Sequence, residues 1–124
     1  MRNETRTFRY LKQLFPKEEI VRQYRINEKV MDGDKIIKHY VKPDFYIKIG
    51  DEEFMVEYDG VQHFEPSKRY GVKAFERQQI RDAWLRSYCE DNNISLLQID
   101  GRKFKGKKIM SQLRQFFRKK IGAD

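Results

Sequence analysis

The sequence predicts an α/β or α+β fold in which helices flank a mixed β-sheet. Three observations predict it. Residues 44–60 alternate twice about a Gly-Asp-Glu turn, the pattern of a β-hairpin. Residues 73–91 have the length and composition of a long helix, and a short strand pattern follows at once. Both ends of the chain carry apolar residues at helical spacing. The order helix, strands, hairpin, helix, strand, helix fits one domain over residues 1–124, with no internal repeat or linker.

Taken in order, residues 4–14 form a helix with Asn3 as N-cap; Phe8, Leu11 and Phe15 share a face, and Pro16 ends it. Residues 20–26 alternate weakly as a strand, 31–34 (Met-Asp-Gly-Asp) form a turn, and 36–41 return to strand composition. In the hairpin, Phe45, Ile47 and Ile49 alternate with Tyr46 and Lys48, and then Phe54, Val56 and Tyr58 with Met55, Glu57 and Asp59. Residues 61–71 are polar and read as a loop. In the helix over 73–91, apolar residues surround most of the circumference, which predicts burial on all sides. A strand over 94–99, a basic loop over 101–106 and a helix over 107–120 with Ile109, Leu113, Phe116 and Phe117 as its stripe complete the chain.

Composition excludes several classes. Cys89 is the single cysteine, so no intramolecular disulfide forms, and two histidines cannot build a structural zinc knot. No apolar run approaches the roughly 18 residues of a membrane span. The first residues, MRNETRTFRY, lack the apolar stretch of a secretory signal. A soluble cytoplasmic protein is the resulting expectation. Hydrophobic residues make up 39% and charged residues 37%, enough of the former for a modest core. The net charge of +8 favours a polyanionic partner. Its excess is concentrated: residues 102–120 hold nine basic side chains and no acid, whereas Glu52, Glu53, Glu57, Asp59 and Glu65 cluster in the centre.

The centre carries the chemistry. Glu57 and Asp59 are two residues apart, so on a strand both point to one face. Asp44 opens the partner strand, and a turn centred on Asp51-Glu52 sets it opposite Gly60 or Asp59, within reach of Glu57. Three converging carboxylates repel one another unless a hard cation neutralises them, and oxygen ligands suit Mg²⁺ or Mn²⁺. The bland alternative is a solvated strand face. His63 follows four residues after Asp59, and with an ordinary pKa near 6.5 an imidazole accepts protons at neutral pH. His39, in a strand-like run, reads as structural. Asp82 is either a buried functional group or a partner for Arg81 or Arg86. Cys89 and Trp84 read as core residues.

The run Pro43-Asp44-Phe45-Tyr46 … Val56-Glu57-Tyr58-Asp59-Gly60-Val61-Gln62-His63-Phe64 resembles the nuclease core of the PD-(D/E)xK superfamily. Its branch of very-short-patch-repair and phage or intron-encoded homing endonucleases, with an E…D…x…H…D pattern, is the most similar. The resemblance continues through Glu76–Asp82, Tyr88-Cys89 and Asn92–Ile99. It implies a restriction-endonuclease-like fold and a metal-dependent DNA endonuclease or nickase that hydrolyses phosphodiesters, in a bacterial cell or phage-infected host. Under it Asp44, Glu57 and Asp59 hold Mg²⁺ or Mn²⁺, His63 is the general base, Asp82 matches the last Asp and Glu4 the first Glu, with Glu18 or Glu19 as substitutes. Asp59 stands where most of the superfamily has lysine. That departure defines the alternative, a catalytically inactive nuclease-fold DNA-binding module.

Contacts to DNA fall to the loop and start of the last helix (Arg102, Lys103, Lys105, Lys107, Lys108), where Gly101 and Gly106 allow close approach, and to Lys68, Arg69 and Lys73 beyond the base. No helix-turn-helix or zinc finger reads bases, so specificity falls to an arm, a homodimer or DNA structure.

Overall fold

The computed structural model of the chain describes residues 2–121. In chain order the elements are α1 (Asn3–Leu14), β1 (Ile20–Arg22), β2 (Val30–Asp32), β3 (Lys35–Lys38), β4 (Phe45–Ile49), β5 (Glu52–Asp59), a 3-10 turn (Val61–His63), α2 (Gly71–Asp91), β6 (Ile94–Asp100) and α3 (Lys108–Phe116). Four strands form a mixed sheet in the order β1-β4-β5-β6, and β2 and β3 form a separate hairpin. Parallel neighbours need a long crossover. The 21-residue α2 supplies it between β5 and β6, whereas the other neighbours in the sheet are antiparallel.

Strand β5 is central, so its two sets of alternating side chains are buried against different layers. Phe54 and Val56 join Leu11 and Phe15 of the α1 region and Ile109, Leu113 and Phe117 of the α3 region. Phe117 packs between Phe15 and Phe54, with ring centroids 5.0 and 5.1 Å away. Met55 faces the other way, against Leu85 and Cys89 of α2 and Ile26, Val30 and Val41 around the small hairpin. Glu57 and Asp59 continue the Met55 series and are therefore carried under α2.

Several expectations are corrected. The strand expected over 20–26 stops at Arg22, because Gln23 adopts a φ of 53° that takes the chain out of the sheet. Only an isolated bridge between Ile26 and Val41 remains beyond it. The segment read as a turn at 31–34 contains the last two residues of β2, with Gly33-Asp34 closing the hairpin to β3. Asn3 lies inside α1 rather than capping it, and its Oδ1 accepts the Gly106 N–H at 3.3 Å. Helix α2 is not buried all round: Arg81, Asp82, Leu85 and Cys89 mark one buried face, and Val72 and Ala83 are exposed. His39 is exposed just after β3.

The hairpin register also differs. Ile49 pairs with Glu52 and Phe45 with Val56, so the turn is Gly50-Asp51 and Gly50 takes its φ of 62°. Continued one step, this register brings Asp44 to Glu57 rather than to Asp59 or Gly60. Gly101 is buried and packs tightly against the end of β5. Its N–H donates to the Asp59 carbonyl at 2.7 Å, and a Cβ there would sit 2.6 Å from that oxygen. Gly101→Ala is expected to cost about 1–3 kcal/mol as Asp59 is displaced. An unchanged urea midpoint would contradict this tight contact.

Candidate functional site

The end of β5, the 3-10 turn and the middle of α2 meet at one place. The 3-10 turn after Gly60 folds His63 back over Asp59, and the Gln79 side chain of α2 donates to the His63 carbonyl at 2.6 Å. His63 Nδ1 lies 3.0 Å from Asp82 Oδ2 and 3.5 Å from Asp59 Oδ1. Asp82 is held in turn by Gln78 Nε2 at 2.9 Å and by Arg81 at 3.2 Å. Arg81 also pairs with Glu57 and donates to the Lys42 carbonyl at 3.3 Å. A hollow of about 200 Å³ opens beside this group, lined by Asp59, His63, Phe64, Gln79, Asp82, Arg86, Gln98 and Asp100.

A second acidic group adjoins the first. The Asp44 N–H donates to Glu57 Oε2 at 3.2 Å, and Asp44 Oδ2 accepts the Tyr58 N–H at 2.8 Å. Gln23 reaches both Asp44 and Glu4, at 3.4 and 3.5 Å. Glu4 is thus the acid that faces Asp44, and Glu18 and Glu19 lie beyond the end of α1. The three carboxylates expected to share one ion are divided. Asp44 and Glu57 meet through the register, Glu57 is claimed by Arg81, and Asp59 turns to the imidazole. Among the described residues, no three His, Cys, Asp or Glu side chains gather as a ready ion cage.

The electrostatics follow from burial and charge. Burial, Glu57 and Glu4 push the Asp44 carboxyl up to about 8. Burial pushes Asp59 up to about 6, although His63 and Arg81 oppose it. For His63, burial acts downward but is outweighed by the hydrogen bond to Asp82 and the nearby carboxylates, so its pKa rises. Asp82 moves the opposite way: burial acts upward, but His63, Gln78 and Arg81 hold it below the usual carboxylate range. Burial and Glu57 push the Cys89 thiol up to about 11, which leaves it a core residue and not a nucleophile.

The basic residues are dispersed. Arg102 stands at the rim, its guanidinium 3.7 Å over the Phe64 ring and 2.8 Å from Asp100, so part of its charge is already paired. Lys103, Lys105, Lys107 and Lys108 are exposed along the loop and into α3, and Lys68 and Arg69 are exposed after the 3-10 turn. Lys73 lines a different hollow, with Asp32, Lys35 and Arg77 beside the β2–β3 hairpin, and not the surroundings of His63.

Sequence reasoning missed Gln23, Gln78 and Gln79, whose amides carry no motif, and it held Arg81 only as a partner for Asp82. Asp82 is buried and pairs with Arg81, as one of its two readings expected, and it also meets His63.

The site and sheet define a mixed α+β protein with an Asp–His–Asp group at the end of its central strand. No known protein family matches the chain, and no solved structure matches it. Over 46 residues it is 41% identical to the "Uncharacterized protein 307L" of Invertebrate iridescent virus 6, covering 36% of this chain and 23% of that protein. The chain thus spans less than a quarter of the relative's length. No helix among the described residues is long and apolar enough to cross a membrane.

Proposed function

We propose that this protein is a metal-dependent DNA endonuclease or nickase on a restriction-endonuclease-like fold. The observation that carries the reading is the His63–Asp82 contact at 3.0 Å, flanked by Asp59 and open to a hollow. An Asp82 carboxylate that accepts from Nδ1–H leaves Nε2 with a lone pair, the form in which a ring takes a proton from water. Asp82 keeps its charge because Gln78 and Arg81 hold it. Arg81 returns to the site some of the positive charge that Asp59 does not supply.

Part of the donor set suits a divalent ion: Asp44 and Glu57 meet, whereas Asp59 is turned to His63. Asp59 Oδ1 is buried without a hydrogen-bond partner, and Asp44 is crowded by Glu57 and Glu4. Asp44 with Glu57 would hold Mg²⁺ or Mn²⁺, and Asp59 is the third ligand that the resemblance implies. Such an ion supplies an acidified water and neutralises charge on the phosphate. DNA would cross the hollow along the basic loop, with Lys103, Lys105, Lys107 and Lys108 toward phosphates.

Plasmid incubated with the protein and Mg²⁺ or Mn²⁺ tests the reading. Nicking that needs the metal and disappears in Asp44→Ala is the expected result. Salt-sensitive binding without cleavage in any DNA structure would favour the inactive binding module instead. Replacing Lys103, Lys105 and Lys107 by Gln is expected to flatten the log–log salt dependence of binding by about 0.9 per lysine. An unaltered slope would take this loop out of the interface.

A further inference from the structure

We propose that the hollow at the start of α2 receives one unstacked nucleobase of the bound strand; this rests on the nuclease reading above. The hollow has a volume of about 160 Å³, with Tyr70, Ala74 and Phe75 as its apolar walls and Gln62 and Gln78 as its polar ones. It is separate from the hollow beside His63 but shares a wall with that site. Gln62 precedes His63 in the 3-10 turn, and Gln78 donates to Asp82.

Size selects the occupant. The space falls below the roughly 300–1,000 Å³ of drug-sized sites. One flat base can enter, with its sugar and phosphate left outside. Chemistry narrows it further. Aromatic faces stack on any base, and amides match the donors and acceptors of a base edge. Because Gln78 Nε2 is spent on Asp82, its Oε1 remains as an acceptor. The Gln62 amide offers both a donor and an acceptor.

The surroundings favour a nucleic acid over an apolar side chain of a protein. Tyr70 is 66% exposed, and Val61 and Val72, chain neighbours of the lining residues, are 52% and 58% exposed. A cation stands beside one wall: the Arg69 guanidinium lies 5.1 Å from the Tyr70 ring centroid, and Lys68 precedes it in the chain. An apolar slot with a cation beside one wall is complementary to a base attached to phosphates. The substrate class is therefore DNA with an unpaired base beside the scissile bond, as in a one-nucleotide bulge or a single-stranded gap.

Binding of 2-aminopurine-labelled DNA to the whole protein, in Ca²⁺ in place of Mg²⁺, tests this. Three duplexes are compared: fully paired, with 2-aminopurine as a one-nucleotide bulge, and with an abasic bulge. The expected result is about tenfold tighter binding of the base-containing bulge than of the other two, with a change in 2-aminopurine emission. Tyr70→Ala should remove that preference, and Tyr70→Phe should retain it. Equal affinity for the three duplexes, or a preference unchanged in Tyr70→Ala, overturns the proposal and leaves the nuclease reading standing. Absence of binding to every duplex overturns both.

Discussion

His63→Ala is expected to lower DNA cleavage by about 10²- to 10⁴-fold while leaving the fold and DNA affinity intact. His63 touches two carboxylates and lies at the wall of the hollow, so under the proposed function its loss removes the proton acceptor and little packing. Asp82→Asn probes the same pair differently, since the amide keeps the shape and loses the charge. The sign of the pH dependence is set. A base must be neutral to act, so cleavage rises with pH through the raised His63 pKa. In Asp82→Asn that pKa falls, and the acid limb of the rate profile moves to lower pH while the plateau drops. Initial rates from pH 5 to 9 for the three proteins check this. A profile that stays in place in Asp82→Asn would sink the proposed pairing.

The same contact affects stability. With a raised pKa, His63 contributes fully below the ordinary value of 6.5, and that contribution is lost as pH rises through the folded value. Asp82, with a lowered pKa, contributes above 3.8 and loses it as pH falls through its folded value. The imidazolium–carboxylate pair therefore stabilises the fold most between these limits. Thermal unfolding of His63→Ala and parent should differ most there and converge toward high pH.

Arg81→Met is expected to destabilise the protein by about 3–5 kcal/mol, the largest effect of any single substitution considered. The Arg81 side chain is only 10% exposed, and its partners Glu57 and Asp82 are 4% and 8% exposed. Removing the guanidinium strands Glu57 beside Asp44 without its cation. The paired variant Arg81→Met with Glu57→Met strands no charge at that contact and is expected to recover most of the loss. Urea unfolding of the two variants checks this; equal midpoints would show that burial of charge is not what makes Arg81 matter.

Local patterning carried a large part of the architecture. The hairpin, the long crossover helix, the following strand and the two terminal helices are legible because alternation and helical spacing report which side of an element meets the core. The pairing of Glu57 and Asp59 on one face follows from the same rule, and both lie under α2 as that rule requires. The small elements were not legible. Strand β2 has only Val30 buried, and β1 ends on a backbone torsion at Gln23 that its side chain does not announce. The all-round burial of α2 failed because Ala83 faces water, while Arg81 and Asp82 face inward.

The amino-acid order alone determined that helices flank a hairpin-based sheet, that the carboxylates at 57 and 59 share a side, and that His63 follows closely enough to join one of them. Tertiary structure decided the rest: that Asp44 faces Glu57 and Glu4, that Arg81 enters from a helix 24 residues away to pair with Glu57, and that Asp82 fixes the imidazole. The physical reason is range. Side-chain alternation is a property of neighbours in the chain, whereas hairpin register and helix docking are set by how two buried faces fit across the sheet.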